Sequence, residues 1–172
     1  MTPEFPRPHR LGQAERQHLE LRASAAERQA LALRYGIPGV ERLEARLALV
    51  PETGGTTRLT GTLESDVVQE CVVTLEPVPQ HVSVNLDLRI LPPGTPATDD
   101  DPDSPDEIET TGNNVDLGEV VAEQLALALD PYPRAPDAAI PPELEATAEE
   151  DAADAVPDRT NPFAALARIK PS

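Results

Sequence analysis

Aromatic side chains are almost missing from this chain: it has two Phe, two Tyr and no Trp, 2% of its residues. A core must then be built from Leu, Val, Ile and Ala. Cysteine is nearly missing too. The lone Cys71 excludes an internal disulfide and points to a reducing compartment. No run is long and apolar enough to span a bilayer. The opening MTPEFPRPHRLGQAERQ lacks the apolar centre of a signal peptide. The expectation is a cytoplasmic protein with no membrane partner. Catalytic patterns are also lacking. His9, His18, His81 and Cys71 do not have the spacing of a zinc site. There is no GxGxxG, P-loop or nucleophile elbow, and Gly54-Gly55 is too little for a phosphate cradle. No catalytic residue, cofactor, metal ligand or small-molecule substrate is expected, and the chain does not read as an enzyme.

What is present is proline and negative charge. The 172 residues include 20 Pro and carry a net charge of -17. That length suits one ordinary domain plus appendages, and the Pro excess marks part of the chain as unpacked. Residues 1–46 hold eight Arg against six Glu, whereas residues 99–158 hold nineteen acids against Arg134 alone. The balance opposes unassisted binding to a nucleic acid backbone, although the Arg-rich front can still touch phosphate. The acidic half would draw a basic protein and speed encounter with it. The bland alternative is a solubilising segment.

Periodicity divides the chain. Residues 1–17 read as a flexible lead, and residues 18–134 as a single α+β domain. Ser24 and Glu27 have capping-box spacing, so a helix should run to about Tyr35 and stop at Gly36. Arg28 and Arg34 on it read most simply as a solvated face. Leu43, Ala45, Leu47 and Leu49 alternate with polar neighbours as in a strand, although Val40, Leu43 and Leu47 also fit a helix. From Leu59 to Leu75 the odd positions are mostly apolar, which predicts a long strand bent near Ser65 or Cys71. Val82, Val84, Leu86, Leu88 and Ile90 predict its antiparallel neighbour. The fold class is an antiparallel β-sheet, with barrel-like closure one option, covered by two helices.

Residues 92–114 read as an acidic loop, with seven acids between 99 and 109. A calcium loop is the sharper reading of Asp99, Asp101 and Asp103, but Pro102 and Pro105 interrupt it and the Gly and terminal Glu are missing. Asp116 should cap a second helix, with Glu119 in the box position. At about 100° per residue, Leu117, Val120, Val121, Leu125, Leu127, Ala128 and Leu129 share one broad face. Gln124 falls inside it, as a hydrogen-bonded core amide or as part of a face shown to another molecule. Residues 135–160 read as an acidic disordered linker. In the largely disordered C-terminal tail, residues 161–172 form an apolar docking motif, with Asn161 as N-cap and Pro162 at the first helical position. The candidate interaction residues are Arg28, Arg34, Asp116, Glu123, Gln124, Arg134, Asn161, Pro162, Phe163 and Leu166.

DLGEVVAEQLALALDPYPR (116–134) and NPFAALARIK (161–170), preceded by ERQALALRYGI and the Gln69-Glu70-Cys71 strand, occur in an order that resembles the YceD family. These are the large ribosomal RNA subunit accumulation proteins of bacteria and plastids. The resemblance implies a ribosome-biogenesis role, with pre-ribosomal large-subunit RNA or a basic ribosomal protein as partner. It carries over no catalytic residue. Some relatives have Cys-x-x-Cys at the strand end and a further Cys after the Pro-rich turn. Here Cys71 matches the first, Thr74 takes the second place, and no Cys follows Arg134. Apolar packing by Val72, Val73 and Leu75 is then expected to replace a metal staple. The competing reading is a general acidic adaptor or chaperone unrelated to ribosomes.

Overall fold

The computed structural model describes residues 3–97, 104–110 and 112–139. The chain divides into two units, Met1–Pro136 and Asp137–Ser172, and the fold below is that of the first. The linker from residue 140 onward, the 161–172 motif and Asp99, Asp100, Asp101 and Asp103 lie outside the described residues.

The expected alternation builds the main sheet. Strands β2 (Gln17–Arg22), β3 (Gly39–Pro51), β4 (Thr57–Glu70) and β5 (Pro77–Ile90) pair antiparallel in chain order. Leu49 faces Leu59, Ala45 faces Leu63 and Leu59 faces Leu88, so one side of the sheet is continuous aliphatic surface. The strand reading of 40–50 is therefore the one the chain adopts, since its partner β4 buries the same parity. Strand β4 runs straight through Ser65, whose buried hydroxyl donates to the Arg42 carbonyl at 2.6 Å. That carbonyl lies where the β3 register shifts. The turn comes later, at Cys71.

Helix α1 (Ala25–Tyr35) has the expected box: Ser24 accepts from the Glu27 N–H, and Glu27 accepts from the Ser24 N–H. Gly36, at φ 67°, closes it in the left-handed conformation that a Cβ disfavours. Helix α2 (Leu117–Ala128) starts at the Asp116 cap. Leu31 and Ala32 from α1 join Leu117, Val120, Val121, Ala122 and Leu125 from α2 in the core over the sheet. The Tyr35 hydroxyl donates to the Ala122 carbonyl at 2.8 Å and ties the helices together.

Several expectations are corrected. The sheet is not closed into a barrel: β2 and β6 (Asp106–Ile108) are its two edges. Nor is it wholly antiparallel, because β6 runs parallel to β5. The segment 91–105 is long enough for the crossover that a parallel neighbour requires. The acidic loop 92–114 is thus interrupted by a strand, and buried Thr110 donates to the Leu91 carbonyl. The lead is not free either. Strand β1 (Pro8–Arg10) pairs with β7 (Asn114–Asp116), and Phe5 is only 1% exposed. The partners are about a hundred residues apart, beyond the reach of any local pattern.

Candidate functional site

The DLGE motif is a structural joint. The Asp116 carboxylate accepts the N–H groups of Gly118 and Glu119, which satisfies the helix start, and also the Arg7 N–H at 2.7 Å. Gly118 leaves room for the Phe5 carbonyl, which a Cβ would overlap. Glu119 does not complete a capping box. Its carboxylate goes to Arg34 on α1, whose guanidinium also reaches Glu4 at 3.0 Å. These carboxylates raise the Arg34 pKa, Glu119 foremost. Asp116 and Arg34 thus help to hold the N-terminal segment and both helices together.

The outer face of the sheet is neutralised from within. Arg46 faces Glu20, Arg22 faces Glu44, and Arg42 bonds Asp66 at 2.7 Å. Arg58 grips Asp87 with two N–H groups at 2.7 and 2.9 Å, and Arg89 reaches Glu52 and Glu107. His81 lies between Asp66 at 2.7 Å and Glu64 at 2.9 Å. The bond to Asp66, then the charges nearby, raise the His81 pKa. Arg7 is likewise held by Glu27 through both terminal nitrogens. Most of the Arg-rich front therefore carries its own counter-ions. Arg28 spends one N–H on the Ala23 carbonyl at 2.9 Å.

A different surface stands at the β4–β5 end. The Cys71 N–H donates to the Glu76 carbonyl and the Leu75 N–H to the Cys71 carbonyl, which closes a tight turn. The Val72 N–H donates to the Pro133 carbonyl at 2.9 Å, and Gln69 Nε2 to the Asp130 carbonyl at 2.9 Å. The segment after α2 is thereby fastened to the turn. Cys71 sits at the junction, solvent-excluded, with its Sγ accepting the Thr74 and Ala135 N–H groups at 3.4 and 3.3 Å. Hydrogen bonding from Thr74, then from the Ala135 N–H, draws its thiol down to about 7.

This overturns the expected apolar staple. The sulfur and the backbone make the joint, while Val72 and Leu75 are 48% and 70% exposed. Leu127 is 77% exposed rather than part of the buried face, although Leu125 and Leu129 on either side of it meet the core; Tyr132 is 72% exposed. Of the described candidates, Glu123 and Arg134 are exposed and Gln124 is half-buried, near this surface along the chain, while Arg28 lies beside Leu33, itself 79% exposed on α1. Asn161, Pro162, Phe163 and Leu166 lie outside the described residues. Sequence reasoning gave Leu75 a packing role and passed over Tyr132; the available signal was a bulky side chain in each of two turn segments. Among the described residues there is no group of three or more His, Cys, Asp or Glu able to hold a metal ion. Nor is there a helix long and apolar enough to cross a membrane.

Compared with known proteins, the chain matches no curated protein and no solved structure. A family model does match, described as large ribosomal RNA subunit accumulation protein YceD, over residues 59–170. That match spans β4, β5, the fastened turn and α2, and so the chain belongs to the YceD family.

Proposed function

We propose that this protein is a non-catalytic, cytoplasmic assembly factor that supports accumulation of large-subunit ribosomal RNA by holding a basic ribosomal protein. The family match over residues 59–170 carries the reading. The charge arrangement supports a protein partner over the RNA itself. Five arginines of the front, Arg7, Arg22, Arg34, Arg42 and Arg46, already have carboxylate partners. Phosphate would have to displace them. The overall charge of -17 also repels a polyanion and attracts a polycation.

The test is sedimentation of the tagged full chain in cell lysate, with RNA and protein identified in each fraction. Co-migration with immature large-subunit particles is expected. Depletion of the protein should lower large-subunit RNA relative to small-subunit RNA. Migration only at the top of the gradient, with an unchanged RNA ratio after depletion, would overturn the reading in favour of a general adaptor.

A further inference from the structure

At the β4–β5 end, the exposed apolar side chains Val72 and Leu75 stand on the Cys71 turn and Tyr132 on the segment tied to it, with Leu127 in the last turn of α2 just before that segment. Glu70 and Glu76 flank the turn along the chain, Glu123 lies one helical turn before Leu127, and Asp130 two residues before Tyr132; all four are exposed. Among the described residues none of these four carboxylates is in an ion pair, in contrast to the paired sheet face. Arg134, two residues after Tyr132, is exposed as well. Leu75 is also the sole non-glycine residue with positive φ among those described, at 61°. A Leu in that region is unfavourable, and here its side chain gains no burial in return. The hydrogen bonds of Cys71, Thr74 and Glu76 hold it there, so the side chain is presented rather than packed.

We infer that this end is the docking surface for a Lys/Arg-rich protein segment carrying aliphatic side chains. The aliphatic groups cover Leu75 and Tyr132, and the cations meet the four unpaired carboxylates. Charge complementarity selects this occupant: a second copy of this chain would bring the same carboxylates together, and RNA would bring phosphate to them. The inference rests on the protein-partner reading above and names its site.

A photo-crosslinking phenylalanine analogue in place of Tyr132, in the full chain, tests it. The probes are the proteins of the large subunit freed of RNA, the subunit's RNA freed of protein, and whole immature particles. The expected result is an adduct to a Lys/Arg-rich protein with the first and third probes and none with the second. Leu75→Gly removes the side chain and suits the local φ, so it should leave the melting temperature unchanged or higher while lowering the adduct at least tenfold. The triple variant Glu70→Gln, Glu76→Gln, Glu123→Gln should lower it similarly and flatten its salt dependence. Adducts to RNA alone, adducts between two copies of the chain, or a protein adduct insensitive to Leu75→Gly would each overturn the inference. A second chain with the analogue at Leu33, on α1, separates the two claims. A protein adduct from Leu33 and none from Tyr132 refutes this site but keeps the partner reading, whereas none from either refutes both.

Discussion

Gly118 and the carbonyl of Phe5 occupy neighbouring space so closely that no Cβ fits between them. The contact joins the first turn of α2 to a segment more than a hundred residues earlier in the chain. It makes the glycine of the DLGE motif a packing requirement rather than a flexible point. Gly118→Ala should destabilise the domain by about 2–3 kcal/mol, because backbone cannot step aside as a side chain can. Gly39, with open space at its Cβ position, is the control. Gly39→Ala should change stability little. Urea unfolding of the two variants checks both.

The Arg34–Glu119 pair links the two helices at a site about a third exposed. Solvent screens it, so a double-mutant cycle with Arg34→Ala and Glu119→Ala should give a coupling of about 0.5–1 kcal/mol. The coupling should shrink in high salt. Crystallographic or NMR analysis of Glu119→Ala should also show Glu4 retaining its hold on Arg34.

Two groups set opposite pH dependences. The bond from Arg7 foremost holds the Glu27 carboxyl down at about 2, against 4.5 for an unperturbed Glu. Its stabilisation is therefore full above 4.5 and is lost as pH falls through about 2. The Asp66 bond foremost raises the His81 pKa above 6.5. Its stabilisation is full below 6.5 and is lost as pH rises through the higher folded value. The stability gap between wild type and Glu27→Gln should narrow as pH falls below 4.5. The gap to His81→Asn should narrow as pH rises above 6.5. An NMR titration in which the His81 ring titrates at or below 6.5 would contradict the geometry of its two carboxylates.

Cys71 holds the turn through its sulfur, so Cys71→Ala removes the acceptor of the Thr74 and Ala135 N–H groups. The expected loss is about 1–2 kcal/mol, from the small cavity and the unmet donors. Amide exchange should quicken at Thr74, Ala135 and Val72 while the centre of β4 stays protected. In the wild type the thiol is enclosed, so alkylation should be limited by opening of the turn despite a pKa near 7.

Much of the middle of the chain was legible because its forces are local. Ser24 and Glu27 cap α1 through bonds three residues apart, and the alternation from Leu59 onward places β4 without reference to its partners. The DLGE and ERQALALRYGI segments were recognised as motifs, yet their reasons were not. Asp116 holds Arg7, and Glu119 holds Arg34, across separations that no window of sequence contains. The same limit hides from any local pattern that Phe5 and β1 pack at the start of α2. Charge counting along the chain does not show pairing: strand pairing across the sheet sets Arg22, Arg42 and Arg46 beside carboxylates.

The sequence by itself determined the class of core, the two capped helices, the paired strands β4 and β5 and the family, because periodicity, caps and motif order are properties of neighbouring residues. Only the tertiary structure decided that the sheet stays open with a parallel edge, that most of the front's charge is spent internally, and that Leu75 on the Cys71 turn and Tyr132 on the segment bonded to it stand exposed. Those outcomes depend on which distant backbone groups and counter-ions meet, and that is set by how the elements pack.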